Sequence, residues 1–571
     1  MTEQSGDSSE PVASASVLAV RMGLIAGPIL ALLVFWLLPH EVAGGLSFAG
    51  RACAGVATLM AVWWMTEALP LEATALLPLI LLPLAGLYPV AIMPGDVVQV
   101  RGLNAPGIVA SVEGKEAVVA VERDGIIVNE RYPLTGLVKE KPFARAAAAF
   151  ADPSIFLFLG GFMIALAIER WGLHRRMALL IVLGVGTRPS QLIGGFMIAT
   201  GLISMWISNT ATTVMMLPIG LSVVQLLKSR LGDKDGLSPG AAPGTAVRDA
   251  NNFATCLLLG LAYASSLGGF ATIVGTPPNV YFAGYMRDRG VGIDFGRWML
   301  FATPLSLGYL ALAWWLMTKV LFPVRLKEIP GGRELIREEY RKLGPVSRGE
   351  WIVLTVFLLT ATLWIVREPL TKWPPATQFF PALRSIDDSL IAMAGAIVLF
   401  AIPVYPKQGV FALDWKTAIK LPWGVLLLFG GGLSLAAAMT DSGLAKWIGL
   451  QVTVLAGLPT FWQIVLVVAL IVFTGELTSN LAAVVAMLPI LFEIAVGMKI
   501  DPLLLCVPAV VAASCGFMLP VATPPNAIVF GSGDIRLGQM VRAGFLLDLA
   551  AVVLIPLYVY LVGGWILGIK V

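Results

Sequence analysis

Three adjacent polar residues, Ser208, Asn209 and Thr210, interrupt an apolar run in which no charged residue occurs from Ser190 to Leu227. Nearly the same phrase returns at Thr478, Ser479 and Asn480. Two further stretches, Gly275-Thr276-Pro277-Pro278-Asn279 and Ala522-Thr523-Pro524-Pro525-Asn526, sit inside uncharged runs of their own. Hydroxyl and amide side chains donate and accept hydrogen bonds without carrying charge. A helix that stops inside a bilayer frees backbone N–H and C=O groups, which are tolerated there only around a cavity or within protein. N–H groups at a helix start suit an anion, and freed carbonyls suit a cation such as sodium. No Lys or Arg accompanies these stretches. An anion bound there would be held by dipoles and amides, with bound cations supplying the positive charge. A fixed Arg would bind tightly but release slowly. Glu476 is the one acid beside the second Ser-Asn pair. Intramembrane acids are functional candidates, and this one either caps a helix or assists a cation.

Such residues need elements that carry them to membrane depth. The chain of 571 residues is 58% hydrophobic and 13% charged, against about 25% charged in soluble domains. Its solvent must be lipid. The net charge of +4 comes without a basic face interleaved with aromatics, so no nucleic-acid partner is expected. Cys53, Cys256, Cys506 and Cys515 lie in apolar segments without metal-ligand spacing and read as buried small hydrophobes. His40 and His174 are isolated and make no metal site. Residues 1–16 are polar and lack a basic n-region, so they read as a disordered tail before a retained span.

Apolar runs of spanning length lie near 17–38, 46–66, 70–93, 154–173, 296–323, 350–366, 388–405, 421–440 and 541–568. Four more runs, 190–227, 252–286, 460–492 and 502–533, are too long for one crossing. A straight helix of about 35 residues measures about 52 Å, against a hydrocarbon core of about 30 Å. Each must turn back or break, and the Ser-Asn and Thr-Pro-Pro stretches mark where. Basic clusters set the orientation. Arg175, Arg176 and Arg188, then Lys228, Arg230, Lys234 and Arg248, then seven Lys or Arg residues over 325–348 read as cytoplasmic. The N-terminus then lies in the cytoplasm and the C-terminus outside, with Arg287 and Arg289 external against the rule.

Gly160-Gly161 and Gly431-Gly432 stand 271 positions apart. The same offset relates Gly172-Leu173 to Gly443-Leu444, Ser208-Asn209 to Ser479-Asn480, and Leu217-Pro218 to Leu488-Pro489. The Thr-Pro-Pro-Asn stretches stand 247 apart, and the difference matches the polar loop 228–251 that the second half lacks. An odd number of crossings separates the copies. The expected architecture is therefore an all-α polytopic membrane protein with about eleven transmembrane helices. Two re-entrant helical hairpins, at 190–227 and 460–492, would belong to inverted repeats. Between 95 and 142, valines alternate with polar residues around turn signals at Asn-Ala-Pro-Gly, Glu-Gly-Lys and Arg-Asp-Gly. That pattern predicts a small extracytoplasmic β insert of four or five strands, SH3-like or OB-like, either inert or a sensing module.

With these motifs, the chain resembles the divalent anion:sodium symporter family, which includes sodium/dicarboxylate and sodium/citrate cotransporters. The residues carrying the resemblance are Ser-Asn-Thr-Ala-Thr at 208–212, Ser-Asn at 479–480, Gly-Thr-Pro-Pro-Asn at 275–279 and Ala-Thr-Pro-Pro-Asn at 522–526, with segments 63–79 and 156–176. It implies a homodimer in a plasma or inner membrane, each protomer moving a transport domain against a scaffold like an elevator. It implies scaffold helices at 17–94, 291–412 and 536–571, and transport repeats at 143–290 and 413–535. It implies substrate contacts at Ser208, Asn209, Thr210, Thr276, Pro277, Ser479, Asn480, Thr523 and Pro524. One sodium site would use Ser204, Ser208, Asn209 and Gly275; another would use Gly475, Thr478, Asn480 and Ala522. Leu481 stands where some members carry Thr, and so does Gly475, which touches one carboxylate contact and the second sodium site. The expected activity is sodium-driven uptake of a C4-dicarboxylate such as succinate, malate or fumarate, with Na+ as coupling ion and no other cofactor. Sodium-independent exchange and sodium-coupled citrate or sulfate uptake are the alternatives within transport. An anion channel would need a continuous pore, and an enzyme a nucleophile–base pair or metal cluster, for which the motifs give no basis.

Overall fold

The computed structural model describes residues 10–40, 45–87, 97–100, 106–113, 116–123, 126–133, 137–139, 141–186, 188–232, 243–325, 329, 331–451 and 457–570. The chain forms two compact units. One comprises Met1–Asp152 with Leu427–Trp447, the other Pro153–Leu426 with Ile448–Val571.

In the first unit, helix Glu10–Leu37 packs on Phe48–Thr66, tied by the Trp63 indole N–H donating to the Gly23 carbonyl at 3.0 Å. The first helix starts at Glu10, inside the tail expected over 1–16. Proline at its second residue needs no amide partner there and fixes a helical φ. Ser47 caps the next helix by accepting from the Gly50 amide. Gly431 lies against the backbone of Ala75, where a Cβ would overlap it.

The insert is an antiparallel sheet of β1 (Val97–Val100), β2 (Pro106–Glu113), β3 (Glu116–Arg123), β4 (Ile126–Pro133) and β5 (Leu137–Lys139), ordered β4-β3-β2-β1-β5. Alternation buries Val98, Val100, Val109, Ala117, Val119 and Val121 on one face. Among the described residues, β4 and β5 do not pair with each other, so the sheet is open.

The second unit plays one sequence of five helices twice. A first arm (Pro189–Ser204; Thr460–Gly475) leads to a second arm (Asn209–Gly232; Asn480–Gly497). A return helix follows (Pro243–Gly269; Leu503–Ala512), then a proline helix (Pro277–Asp288; Pro524–Phe530) and a closing helix (Phe295–Trp315; Leu537–Leu567). The breaks between arms fall at the two Ser-Asn pairs. In the Thr-Pro-Pro runs the prolines open a helix rather than end one. Pro277 and Pro524 take the first helical position, where no amide is needed. The preceding helices stop earlier, at Gly269 and Ala512.

Packing repeats as well. Each first arm lies on its return helix, and each proline helix crosses to the second arm of the other repeat. Pro524–Phe530 meets Asn209–Gly232, and Pro277–Asp288 meets Asn480–Gly497. The closing helices pack on the first arm and return helix of their own repeat, and on each other. Gly172 and Gly443, matched by the 271 offset, both adopt left-handed φ, 69° and 74°. Gly160 lies on the Ala392 backbone as Gly431 does on Ala75.

The protein is a mostly helical, multi-pass membrane protein. Nine helices among the described residues are long and apolar enough to cross a membrane. Asn209–Ser229 and Asn480–Gly497 are second arms of the two helical pairs, and the others coincide with expected spans. The expected span 70–93, whose residues 88–93 lie outside the described residues, contains the shorter apolar helix Leu71–Leu84, and the expected span 388–405 forms Asp388–Ala401. The first is broken at Leu76, just ahead of Pro78, and Pro403 forces the second into extended backbone.

Candidate functional site

In the first repeat, Ser204 closes the first arm and is fully buried. Its hydroxyl lies 2.8 Å from Asn209 Oδ1 and 2.7 Å from the Ser265 carbonyl. Thr213, one turn after Asn209, donates to the Asn209 carbonyl and reaches Ser265 Oγ at 3.0 Å. Ser208 Oγ accepts from the Ala211 amide, capping the second arm. Gly269 ends the return helix against the Asn209 side-chain amide, where a Cβ would collide. Gly275 lies on the carbonyls of Gly269 and Met205, and Thr272 ties this turn by donating to Met205 O while accepting from the Gly275 amide. Ser204, Asn209 and Gly275 are thus gathered around one cluster of backbone carbonyls. Thr210 is exposed and Thr276 buried at the start of its helix.

The second repeat builds a similar turn from different side chains. Gly475 and Ala522 converge on Gly516: a Cβ there would lie 3.6 Å from the Gly475 carbonyl oxygen and 3.3 Å from Ala522. Glu476, 2% exposed, accepts from the Met518 and Leu519 amides, both at 2.9 Å. It satisfies the chain that follows the return helix, and is therefore a cap across the break. The Thr478 hydroxyl turns back to donate to the Thr474 carbonyl at 3.1 Å. Thr523 accepts from the Asn526 amide and caps the proline helix. Asn480 Oδ1 is buried with no hydrogen-bond partner, an acceptor free for a cation. Ser479 is half-buried and Pro524 exposed.

The crossing of each proline helix onto the opposite second arm links the two halves. The Thr-Pro-Pro start of one repeat and the Ser-Asn start of the other belong to packed helices. Helix starts direct free N–H groups beyond their first turn. No Lys or Arg belongs to either cluster.

Two features escaped the sequence reading. Asn279 donates to the Phe270 and Thr272 carbonyls at 3.0 and 2.7 Å. Asn526 does the same to Gly516 and Leu519 at 3.1 and 3.0 Å. Both are fully buried and staple the irregular backbone ahead of their helices. Their recurrence four residues into both Gly/Ala-Thr-Pro-Pro-Asn stretches was the available signal. The other feature is Asp548, the only charged residue between Arg542 and Lys570, fully buried in the second closing helix.

Comparison with known proteins agrees with these motifs. The family model described as the sodium:sulfate symporter transmembrane region matches residues 21–569. The sodium-dependent dicarboxylate transporter SdcS of Staphylococcus saprophyticus is 37% identical over 96% of this chain and 92% of its own length. Its namesake from Staphylococcus aureus strain USA300 is 36% identical with the same coverage. Among solved structures, the Alcanivorax borkumensis YdaH transporter aligns over 90% of this chain and 99% of its own, at 15% identity and a TM-score of 0.49.

Proposed function

From the premise that the chain belongs to the divalent anion:sodium symporter family, we propose that it takes up C4-dicarboxylates such as succinate, malate or fumarate together with sodium. The observation that carries this reading is the pair of uncharged helix breaks, each flanked by a proline helix that crosses to the other repeat. A small dianion is held between them by helix-start N–H groups and by Ser208, Asn209, Thr210, Thr276, Pro277, Ser479, Asn480, Thr523 and Pro524. Sodium ions balance its charge. The first lies among Ser204, Ser208, Asn209 and Gly275, where carbonyls cluster. The second lies among Gly475, Thr478, Asn480 and Ala522, where the unpartnered Asn480 Oδ1 supplies one ligand. Oxygen-only ligands suit a hard alkali cation.

The two helical pairs enter the membrane from opposite faces, so the repeats are inverted, and the transport repeats 143–290 and 413–535 move like an elevator against the scaffold helices within a homodimer. The N-terminus is cytoplasmic and the C-terminus outside. The relatives named as sodium-dependent dicarboxylate transporters support the choice of substrate and ion. Sulfate is the second reading, favoured by the description of the family model.

Uptake of radiolabelled succinate into proteoliposomes tests the proposal, with malate, fumarate, citrate and sulfate as competitors. Sodium should drive uptake, and excess malate or fumarate should suppress it. Equal uptake when potassium replaces sodium refutes symport and leaves exchange, which Gly475 and Leu481 at the second site would then explain. Suppression by sulfate alone refutes the dicarboxylate assignment.

A further inference from the structure

Helix Gly332–Lys342 lies in the connection between two spans, Phe295–Leu321 and Arg348–Lys372. At 3.6 residues per turn its side chains sort around the axis by charge. Gly332 and Ile336 are buried against the protein. Arg333, Arg337 and Arg341 recur at steps of four and form a strip about 80° wide along one flank. Glu334 and Glu338 make the crest, and Glu339 and Lys342 take the other flank. The acids do not neutralise the strip. Glu339 pairs with Arg175 at 2.7 Å and with Lys342 at 2.8 Å, and Glu338 reaches Lys342 at 3.3 Å. All three arginines of the strip are exposed, and among the described residues none of them forms an ion pair.

The strip is held at the membrane surface by a residue on another helix. Buried Arg176, from helix Leu173–Val185, donates to the Leu343, Gly344 and Pro345 carbonyls at 3.3, 3.0 and 3.3 Å, just past the helix end. The same guanidinium pairs with Glu350, in the first turn of the next span, at 2.6 Å. One side chain therefore fixes the end of the helix beside the start of the span. Trp351, next to Glu350, is exposed, as suits an aromatic ring at headgroup level. Like charges at i and i+4 destabilise a helix, so the strip carries a cost that an anion would offset. Guanidinium groups match phosphate oxygens in charge and in fork geometry, and basic segments beside a span attract anionic headgroups.

We propose that Arg333, Arg337 and Arg341 dock the headgroups of anionic phospholipids. The helix presents its arginine flank to the headgroup layer and its acidic crest to water. The docked lipid steadies the helix, which packs on the second arm Asn209–Gly232 as well as on Leu173–Val185. This inference needs only the membrane placement and stands apart from the choice of substrate and coupling ion.

The test is native mass spectrometry of the full chain in detergent, titrated with phosphatidylglycerol or with phosphatidylcholine. The unmodified protein should bind phosphatidylglycerol more tightly. Arg333→Gln, Arg337→Gln and Arg341→Gln together should weaken the tightest phosphatidylglycerol at least about tenfold and leave phosphatidylcholine unchanged. Lys at the same three positions keeps the charge and should keep most of the preference. Arg337→Gln alone, a single exposed change that spares the fold, should cost about fivefold. Glu334→Gln with Glu338→Gln should bind phosphatidylglycerol at least as tightly as the unmodified protein. Equal phosphatidylglycerol affinity in Arg337→Gln and the unmodified protein overturns the proposal, and so does a parallel loss of both lipids in the triple Gln variant. Complete displacement of phosphatidylglycerol by excess inorganic phosphate overturns it too, because the strip would then be a site for the free anion.

Discussion

Replacing Asn279 or Asn526 by Ala tests whether the broken helices depend on a staple rather than on proline alone. Each amide donates to two backbone carbonyls that the helix break has freed, at 2.7 to 3.1 Å, from a fully buried position. Leaving one buried acceptor without a donor costs about 1–3 kcal/mol. Two acceptors per site, partly relieved by water entering the space left by the amide, give about 3 kcal/mol. At 1.36 kcal/mol per decade, the turn would open on the order of 100-fold more often. The side-chain oxygens of both residues have no partner, so the N–H groups carry the effect. Asn279→Asp keeps the shape, lacks those donors, and should fail as badly as Ala. Succinate uptake should fall at least about tenfold, and the detergent-solubilised protein should melt on the order of 5 °C lower. Uptake within about twofold of the unmodified protein and an unchanged melting temperature, in either Ala variant, would refute the reasoning. So would rescue by Asp, because a carboxylate facing two carbonyls can only repel them.

Asn209→Ala removes one of the two acceptors that the Ser204 hydroxyl faces, leaving the Ser265 carbonyl. It should raise the sodium concentration for half-maximal uptake about tenfold or more, the usual scale for a lost ligand or its orienting partner, while monodispersity on size exclusion stays unchanged. Asp294, at the start of helix Phe295–Trp315, has its pKa pushed up to about 6 by burial and by neighbouring Glu368, against the pull of Arg367 and Arg297. A raised acid pKa stabilises the fold fully below its ordinary value of 3.8, and that contribution is lost as pH rises through 6. Asp294→Asn should therefore flatten the melting temperature between pH 4 and 6, and a curve parallel to the unmodified protein would contradict this. Deletion of the β insert, bridged by a short Gly-Ser linker, should leave succinate uptake within about twofold. Its buried core of Val98, Val100, Val109, Ala117, Val119 and Val121 is drawn from the insert's own strands. A loss beyond tenfold with the protein still monodisperse would make the insert a functional module.

Much of the site was legible from composition and offset. The uncharged runs are too long for the bilayer, so each had to break. Ser208-Asn209 and Ser479-Asn480 were the groups able to satisfy a broken helix, and the breaks fall there because Ser, Asn and Thr compete for backbone hydrogen bonds at helix starts. The valine alternation over 95–142 likewise announced strands, since a two-residue period needs no distant partner to be read. The Thr-Pro-Pro stretches were read as the places where the runs break, and their prolines open helices, since what ends the previous helix is a turn seven or more residues earlier.

What the chain determined by itself is local or periodic: lipid as solvent, helix as the main element, the two-fold recurrence and the polar breaks. Tertiary structure decided which proline helix crosses to which arm, which carbonyls Asn279 and Asn526 reach, and that Arg176 grips Glu350. A basic cluster reveals that its members need partners, but the acids that meet Arg175 and Arg176 lie 164 and 174 positions away. Hydropathy and propensity act within a few residues. The desolvation that makes an unpaired carboxylate costly depends on everything packed around it, and that arrangement exists only once the chain has folded.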